Sequence, residues 1–104
     1  ALEKCDAIVT PTSAITAPPI RPDALPFGES DLRTTTESMR YVVLANLTGH
    51  PAVSFPAGYD HAGLPVGLQA IGRPWEEHRL LTLAHVGGLD LERRAPLLHA
   101  KLLG

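Results

Sequence analysis

Five of the chain's ten prolines (Pro11, Pro18, Pro19, Pro22 and Pro26) crowd into one stretch that runs through Gly28 to Leu32. Proline fixes φ and offers no backbone N–H, so neither a helix nor a sheet ladder continues through such a segment. Ahead of it, Asp6-Ala7-Ile8-Val9-Thr10 is a β-branched, mostly apolar run that predicts a buried strand stopped by Pro11. The stretch itself is about 20 residues long, a length that is uncommon inside a compact domain unless it is functional or packed over a neighbour. An ordered, extended crossover is expected, with Ile15, Ile20, Leu25 and Phe27 resting on something apolar.

Beyond the prolines, Thr34 followed three residues later by Glu37 matches a capping box. From Ser38 to Thr48 no proline or glycine intervenes, and Met39, Val42, Val43, Leu44, Ala45 and Leu47 leave almost no polar side. That pattern predicts a buried helix. Val42-Val43 also admits a strand, although length and cap favour the helix. Gly49 suits the position just past the helix, and Pro51 bars its continuation. Residues 52–58 read as a strand in which Pro56 requires an edge, a bulge or an end. A turn over 59–63 and a strand over 66–71 complete a hairpin. Pro74 fits the first turn of another helix, whose positive end Glu76 and Glu77 complement. Leu80, Leu81, Leu83, Ala84 and Val86 give that helix an apolar face, and Gly87-Gly88 ends it. The tail, 89–104, admits one more short helix through Leu91, Leu97, Leu98 and Leu102.

A chain of 104 residues makes one domain at most. Its charged fraction is 19 %, below the roughly 25 % usual for soluble domains. With 44 % apolar residues, part of its apolar surface is expected to meet another part of a larger protein. The net charge of −2 and scattered basic residues give no basic stripe, so no nucleic-acid partner is expected. Cys5 is the single cysteine, which excludes an internal disulfide and suits a small buried residue at the head of a strand. No apolar run approaches the roughly 18–20 residues that span a bilayer. Ala1-Leu2-Glu3-Lys4 has no initiator Met or signal-peptide pattern and reads as the end of a helix cut mid-element. A piece of a longer protein is expected, intracellular, with no particular compartment legible.

The chemistry-bearing residues do not assemble into a recognisable site. His50, His61, His78, His85 and His99 show no pair at the three- or four-residue spacing that places two imidazoles on one helical turn. They read as solvated or structural histidines, and no metal or cofactor is expected. Ser13, Ser30, Ser38 and Ser54 lie in no Gly-x-Ser-x-Gly elbow and near no evident base. Gly63, Gly67 and Gly72 are spread along the hairpin and form no phosphate cradle; Gly67 instead permits close packing on the hairpin, and Gln69 can satisfy buried backbone groups.

Taken in order, several pieces resemble the C-terminal part of the amidase signature family. They are Asp6-Ala7-Ile8-Val9-Thr10-Pro11-Thr12, Ala17-Pro18, the run from Asn46-Leu47-Thr48-Gly49-His50-Pro51 to Gly58, and Gly63 to Gly72 followed by Glu77 and Leu80-Leu81. The resemblance spans Asp6 to about Val86. Met39-Arg40-Tyr41 and Gly72-Arg73-Pro74-Trp75 look most like the fatty-acid-amide-hydrolase-like branch. The fold implied is α/β: a partial amidase domain whose mixed β-sheet is flanked by helices. Its order is strand, Pro-rich crossover, buried helix, hairpin and amphipathic helix.

The resemblance also implies a parent enzyme that hydrolyses carbon–nitrogen bonds of small-molecule amides. In that family a Ser nucleophile is activated by a second Ser and a Lys, and Gly-rich backbone amides hold the oxyanion. Those groups belong to polypeptide N-terminal to this segment, so the missing N-terminal part of the domain is the expected partner, and a homodimer of the parent is compatible. Lys4 and Lys101 are the only lysines, neither lies in such a motif, and no catalytic residue is carried over. One substrate-binding residue is. In the similar glutamine-using component of tRNA amidotransferases, an aspartate seven residues before the Asn of Asn-Leu-x-Gly binds the substrate ammonium. Met39 stands at that place here, and a thioether packs against an acyl or aryl group instead. Gly87-Gly88 and Glu92-Arg93-Arg94 replace the Glu that many members carry near that helix end, leaving the role of 89–104 open. A different class of function, a non-catalytic module that docks on a partner, fits the same composition.

Overall fold

The computed structural model describes residues 1–24, 31–92 and 94. The elements run β1 (Ile8–Pro11), α1 (Leu32–Met39), α2 (Val43–Thr48), β2 (Ala52–Tyr59), β3 (Pro65–Ile71) and α3 (Glu77–Gly87). The chain is α/β. Its described strands form a small antiparallel sheet in the order β1-β3-β2, where a mixed sheet was expected.

The hairpin forms where turn chemistry asks for it. Gly49 takes φ 68 and ends α2 in the left-handed conformation. The register of β2 on β3 slips between Pro56 and Gly58, a bulge at Ala57 directly after the one residue of the strand that cannot donate to a ladder. Asp60 then closes the loop: its Oδ1 accepts from the backbone N–H groups of Ala62 at 2.8 Å and Leu64 at 2.9 Å.

Residues opposite each other in an antiparallel pair share a face. Val9, Ala70 and Val53 form one row and Pro11, Leu68 and Phe55 the next, on the first face. Ile8, Ile71 and Ala52, then Thr10, Gln69 and Ser54, occupy the second. The helix α3 packs on the first face, with Gly87 against the Phe55 ring and Leu80 against Gly72. Leu80, Ala84 and Gly87 recur at helical spacing, and the two small residues let the helix lie close. The α1–α2 segment lies over the second face. The buried apolar side chains among the described residues are Ala45, Ala70, Ile71 and Leu80, with Gln69 as the buried polar one.

Several sequence expectations are corrected. The strand β1 is a sheet edge with Val9 exposed, and it includes Pro11, whose missing N–H costs nothing there. Cys5 is exposed, just past the N-terminal turn rather than at the head of a strand. Residues 1–4 form a turn closed by Lys4 N–H on the Ala1 carbonyl at 2.9 Å, where a helix end was expected. Asp31, not Thr34, caps α1. Its two oxygens take the Thr34 N–H at 3.1 Å and the Thr34 hydroxyl at 2.9 Å, and Glu37 instead pairs with Arg40. Asp outranks Thr at a helix start, which decides between two capping candidates three residues apart.

The expected single buried helix is two helices. Arg40 N–H bonds the Glu37 carbonyl and Val42 N–H the Met39 carbonyl, three residues back rather than four, and this tightened turn separates α1 from α2. Only Ala45 of α2 is buried; Leu44 is 50 % and Leu47 81 % exposed. On α3, Leu81, Leu83 and Val86 fall outside the Leu80–Ala84–Gly87 stripe and are exposed, so the packed face is narrower than expected. Pro74 stands in the turn before α3 instead of in its first turn, and Glu76 is its N-cap. The radius of gyration, 16.3 Å, exceeds the roughly 13 Å of a compact domain of this length. In the crossover Ile15 is half-buried and Ile20 exposed; Leu25, Phe27 and any helix through Leu97, Leu98 and Leu102 lie outside the described residues.

Candidate functional site

The second face of the sheet carries the polar chemistry. Thr10, Gln69 and Ser54 stand side by side across β1, β3 and β2. One position further along, Thr12 N–H donates to the Gly67 carbonyl at 2.9 Å, and the Thr12 and Ser54 hydroxyls meet at 2.7 Å. Glycine at position 67 leaves room for that meeting, because a Cβ there would stand 3.0 Å from Thr12 Oγ1. The sequence expectation that Gly67 allows close packing holds, with the neighbours now named.

Gln69 satisfies a backbone group, as expected of it. Only 6 % exposed, it donates from Nε2 to the Tyr41 carbonyl at 3.2 Å and to Thr10 Oγ1 at 3.4 Å. Tyr41 lies in the turn between α1 and α2, so this carboxamide ties the helical pair to the sheet. Tyr41 then helps line a cleft of about 310 Å³ with Ser13, Ile15, Thr16, Val66 and Gly67. A second cleft on the same face, about 420 Å³, is bounded by Leu2, Ile8, Leu44, Thr48, His50 and Ile71. A third, about 480 Å³, opens beside Trp75, with Asn46, Gly49, His50, Pro51 and Glu77 on its walls.

Met39, the one substrate-binding residue expected from the sequence, ends α1 two residues before Tyr41 and is 48 % exposed. It is not among the residues lining these three clefts. Of the serines, Ser54 faces a hydroxyl, Ser13 lines the Tyr41 cleft, and Ser30 lies outside the described residues. His50 borders two clefts, while His61, His78 and His85 are exposed. Among the described residues no three His, Cys, Asp or Glu side chains come together as metal ligands would.

A further group escaped sequence reasoning. Arg73, two residues past the end of β3, donates from Nε to the Leu2 carbonyl at 2.8 Å and from Nη2 to the Cys5 carbonyl at 3.0 Å. Its Nη1 reaches Glu76 at 3.1 Å, and Arg79 spans Asp6 and Glu76 at 3.1 and 3.7 Å. This network fastens the N-terminal turn to the start of α3. Beside it, Trp75 adopts φ 69, a left-handed conformation rare for a residue with a bulky side chain. In sequence Pro74 read as the first turn of a helix, and nothing in the spacing of Gly72-Arg73-Pro74-Trp75 pointed to carbonyls about 70 positions away.

The family model described as Amidase matches residues 1–81. The chain is 58 % identical over 79 residues to a fatty acid amide hydrolase of Arabidopsis thaliana, a match covering 76 % of this chain and 13 % of that protein. It is 50 % identical over 95 residues to a fatty acid amide hydrolase of Oryza sativa subsp. japonica, with 90 % and 16 % covered. It is 42 % identical over 86 residues to a glutamyl-tRNA(Gln) amidotransferase component of Psychrobacter sp. (strain PRwf-1), covering 83 % of this chain and 16 % of that protein. The matched region therefore spans 13 to 16 % of the length of these curated relatives.

Proposed function

The chain belongs to the amidase family, and we propose that it is the C-terminal segment of a longer amide hydrolase. It contributes sheet core and one wall of the substrate channel, and it is inactive alone. The reaction is hydrolytic cleavage of an amide carbon–nitrogen bond. The nucleophilic Ser, the Ser that activates it and the Lys come from the N-terminal part of the domain, which is this segment's partner. Fatty acid amide hydrolases are among the relatives, so the amide has an apolar acyl group, and Met39 packs against it.

The observation that carries this reading is the uncovered apolar surface of α2 and its surroundings. Leu44 and Leu47 on α2, Met39 before it and Trp75 beside it are all exposed. A helix with that composition is stable when covered on most sides. Covering one leucine contributes about 1.5–3 kcal/mol, so a neighbouring body that packs there is strongly favoured.

Amide hydrolysis should be measured on the 104-residue chain, on the N-terminal part, and on the two produced together. Activity only in the joint preparation supports the reading. Cleavage by the chain alone, abolished by changing one of its own side chains, overturns it. A chain that unfolds cooperatively alone and restores no activity to the N-terminal part points to a docking module instead. In the complete enzyme, Met39→Asp should lose turnover of apolar amides, and unchanged kinetics would reject Met39 as part of the wall.

A further inference from the structure

We infer that Gln69 is a positioning residue: its carboxamide sets the bend between α1 and α2, and with it where Met39 stands and how Tyr41 borders the cleft over Gly67. The inference rests on the substrate-wall reading above and adds the residue that holds the wall in place.

In an unbroken helix the Tyr41 carbonyl would accept from the N–H of residue 45, four positions on. Here the ladder of α2 opens one residue later, with Asn46 N–H on the Val42 carbonyl at 3.4 Å. The Tyr41 carbonyl goes to Gln69 Nε2 instead. A donor from the central strand thus replaces a helical N–H at the point where the helix divides. Gln69 can do this because β3 pairs on both sides, which fixes its backbone, and because Thr10 Oγ1 on the neighbouring strand accepts from the same nitrogen. An amide bearing two such bonds holds one orientation, since its oxygen cannot donate to either partner. It is also buried, where losing the donor leaves the Tyr41 carbonyl without its partner.

The consequence falls on the segment nearest the cleft. Tyr41 lines it opposite Gly67, and Met39 begins the same tightened turn through its carbonyl bond to Val42 N–H. Releasing Tyr41 allows α1 and α2 to join into one helix. That rotates the side chains of residues 39–41 about the helix axis and alters the width of the cleft. The reacting atoms are supplied elsewhere, so such a change acts on binding of the apolar acyl group more than on the bond-breaking step.

The test uses the complete polypeptide with Gln69→Leu, which cannot donate, and Gln69→Glu, which donates only when protonated. Hydrogen exchange of peptides covering 41–48 should speed up about tenfold in Gln69→Leu, while peptides covering 52–71 change less than about twofold. For amides with large apolar acyl groups KM should rise about tenfold with kcat within about twofold. Gln69→Glu should behave likewise at neutral pH and recover in acid, where its carboxyl again offers a proton to Tyr41. Equal acceleration of exchange in both regions, or a fall in kcat with KM unchanged, overturns the inference and leaves Gln69 as general packing. If the unsubstituted polypeptide cleaves no amide, the functional reading fails instead, and the exchange pattern alone still decides whether Gln69 sets the bend.

Discussion

Thr12 Oγ1 and Ser54 Oγ lie 2.7 Å apart across Gly67 and join the residue just past edge strand β1 to edge strand β2 over the central strand. The bridge exists because β3 lacks a side chain at this point. Substituting Gly67→Ala would place a Cβ 3.0 Å from Thr12 Oγ1, 3.4 Å from Thr12 Cβ and 3.5 Å from Ser54 Oγ. Thr12 is stiff at χ1 and is also held by its N–H on the Gly67 carbonyl, so it yields only by breaking the bridge. Gly67→Ala should lose about 1–2 kcal/mol in urea unfolding, the scale of an overpacked contact plus one hydrogen bond. Combined with Thr12→Ala the two losses should fall short of additive. A Gly67→Ala chain with the parent's midpoint would show that the bridge contributes nothing.

Arg73 makes a second long-range tie. It reaches the Leu2 and Cys5 carbonyls with two different nitrogens of one planar guanidinium, a fork that the single ammonium of lysine does not reproduce. Arg73→Lys should release the N-terminal turn at a cost of about 1–2 kcal/mol, discounted for partial exposure of the side chain. Cys5 is exposed, directly follows that turn and bonds back to its Ala1 carbonyl, so its reaction with a thiol reagent reports the release directly. Unchanged thiol reactivity in Arg73→Lys would mean that the turn is held by other contacts.

What the sequence made legible, and what it did not, follows from how far apart the interacting residues lie. The hairpin could be read because its signals are local: Gly49 and Pro51 before it, Pro56 inside it, and Asp60 with Gly63 at its turn. Gln69 as a donor to backbone and Gly67 as a close-packing position could also be read, although their partners could not. The division of α1 from α2 was hidden because no breaker stands at residues 40–42. The tertiary bond from Gln69, 28 positions away, meets the carbonyl there. The helix start was misplaced because Asp31 and Thr34 are both capping residues, and the stronger one lay earlier. The Arg73 tie was invisible because an arginine bonding backbone carbonyls leaves no pattern in the partner residues. Burial was overestimated for α2 and α3, since apolar periodicity says which surface wants covering and not whether the same chain covers it.

Asp60 gives the loop of the hairpin a pH dependence. The Leu64 N–H, and after it other donors including the Ala62 N–H, hold its carboxyl below the ordinary 3.8. A carboxyl whose folded pKa lies below its unfolded value stabilises the fold above the unfolded value, and loses that contribution as pH falls through the folded one. The Leu64 and Ala62 amide resonances should therefore move together as acid is added, with a midpoint below 3.8. Asp31 at the start of α1 behaves alike through the Thr34 N–H and hydroxyl. Asp60→Asn keeps an oxygen acceptor without a titrating proton, and it should flatten the response of the loop while leaving that of Thr34 intact. A midpoint for the loop amides at or above 3.8 would contradict the arrangement.

Trp75 sets local strain against surface. At φ 69 it occupies a conformation that costs a non-glycine residue roughly 1–2 kcal/mol, and at 90 % exposure its ring recovers almost none of that from the described residues. Its N–H bonds Glu77 Oε1 at 3.3 Å, and Arg73 and Glu76 pin the turn on either side, so the conformation is imposed by its surroundings. Trp75→Gly relieves the strain but gives the unfolded chain more freedom, and the balance should leave the isolated chain about 0.5–1 kcal/mol more stable in urea. On the proposed reading, in which an N-terminal part of the domain covers this surface, the same substitution should weaken that association, because an indole ring is a large apolar contact to lose. The two measurements pull in opposite directions. A Trp75→Gly chain that is no more stable, yet still restores amide hydrolysis to the N-terminal part at the parent's concentration, would remove Trp75 from the interface and leave its strained turn without a consequence for function.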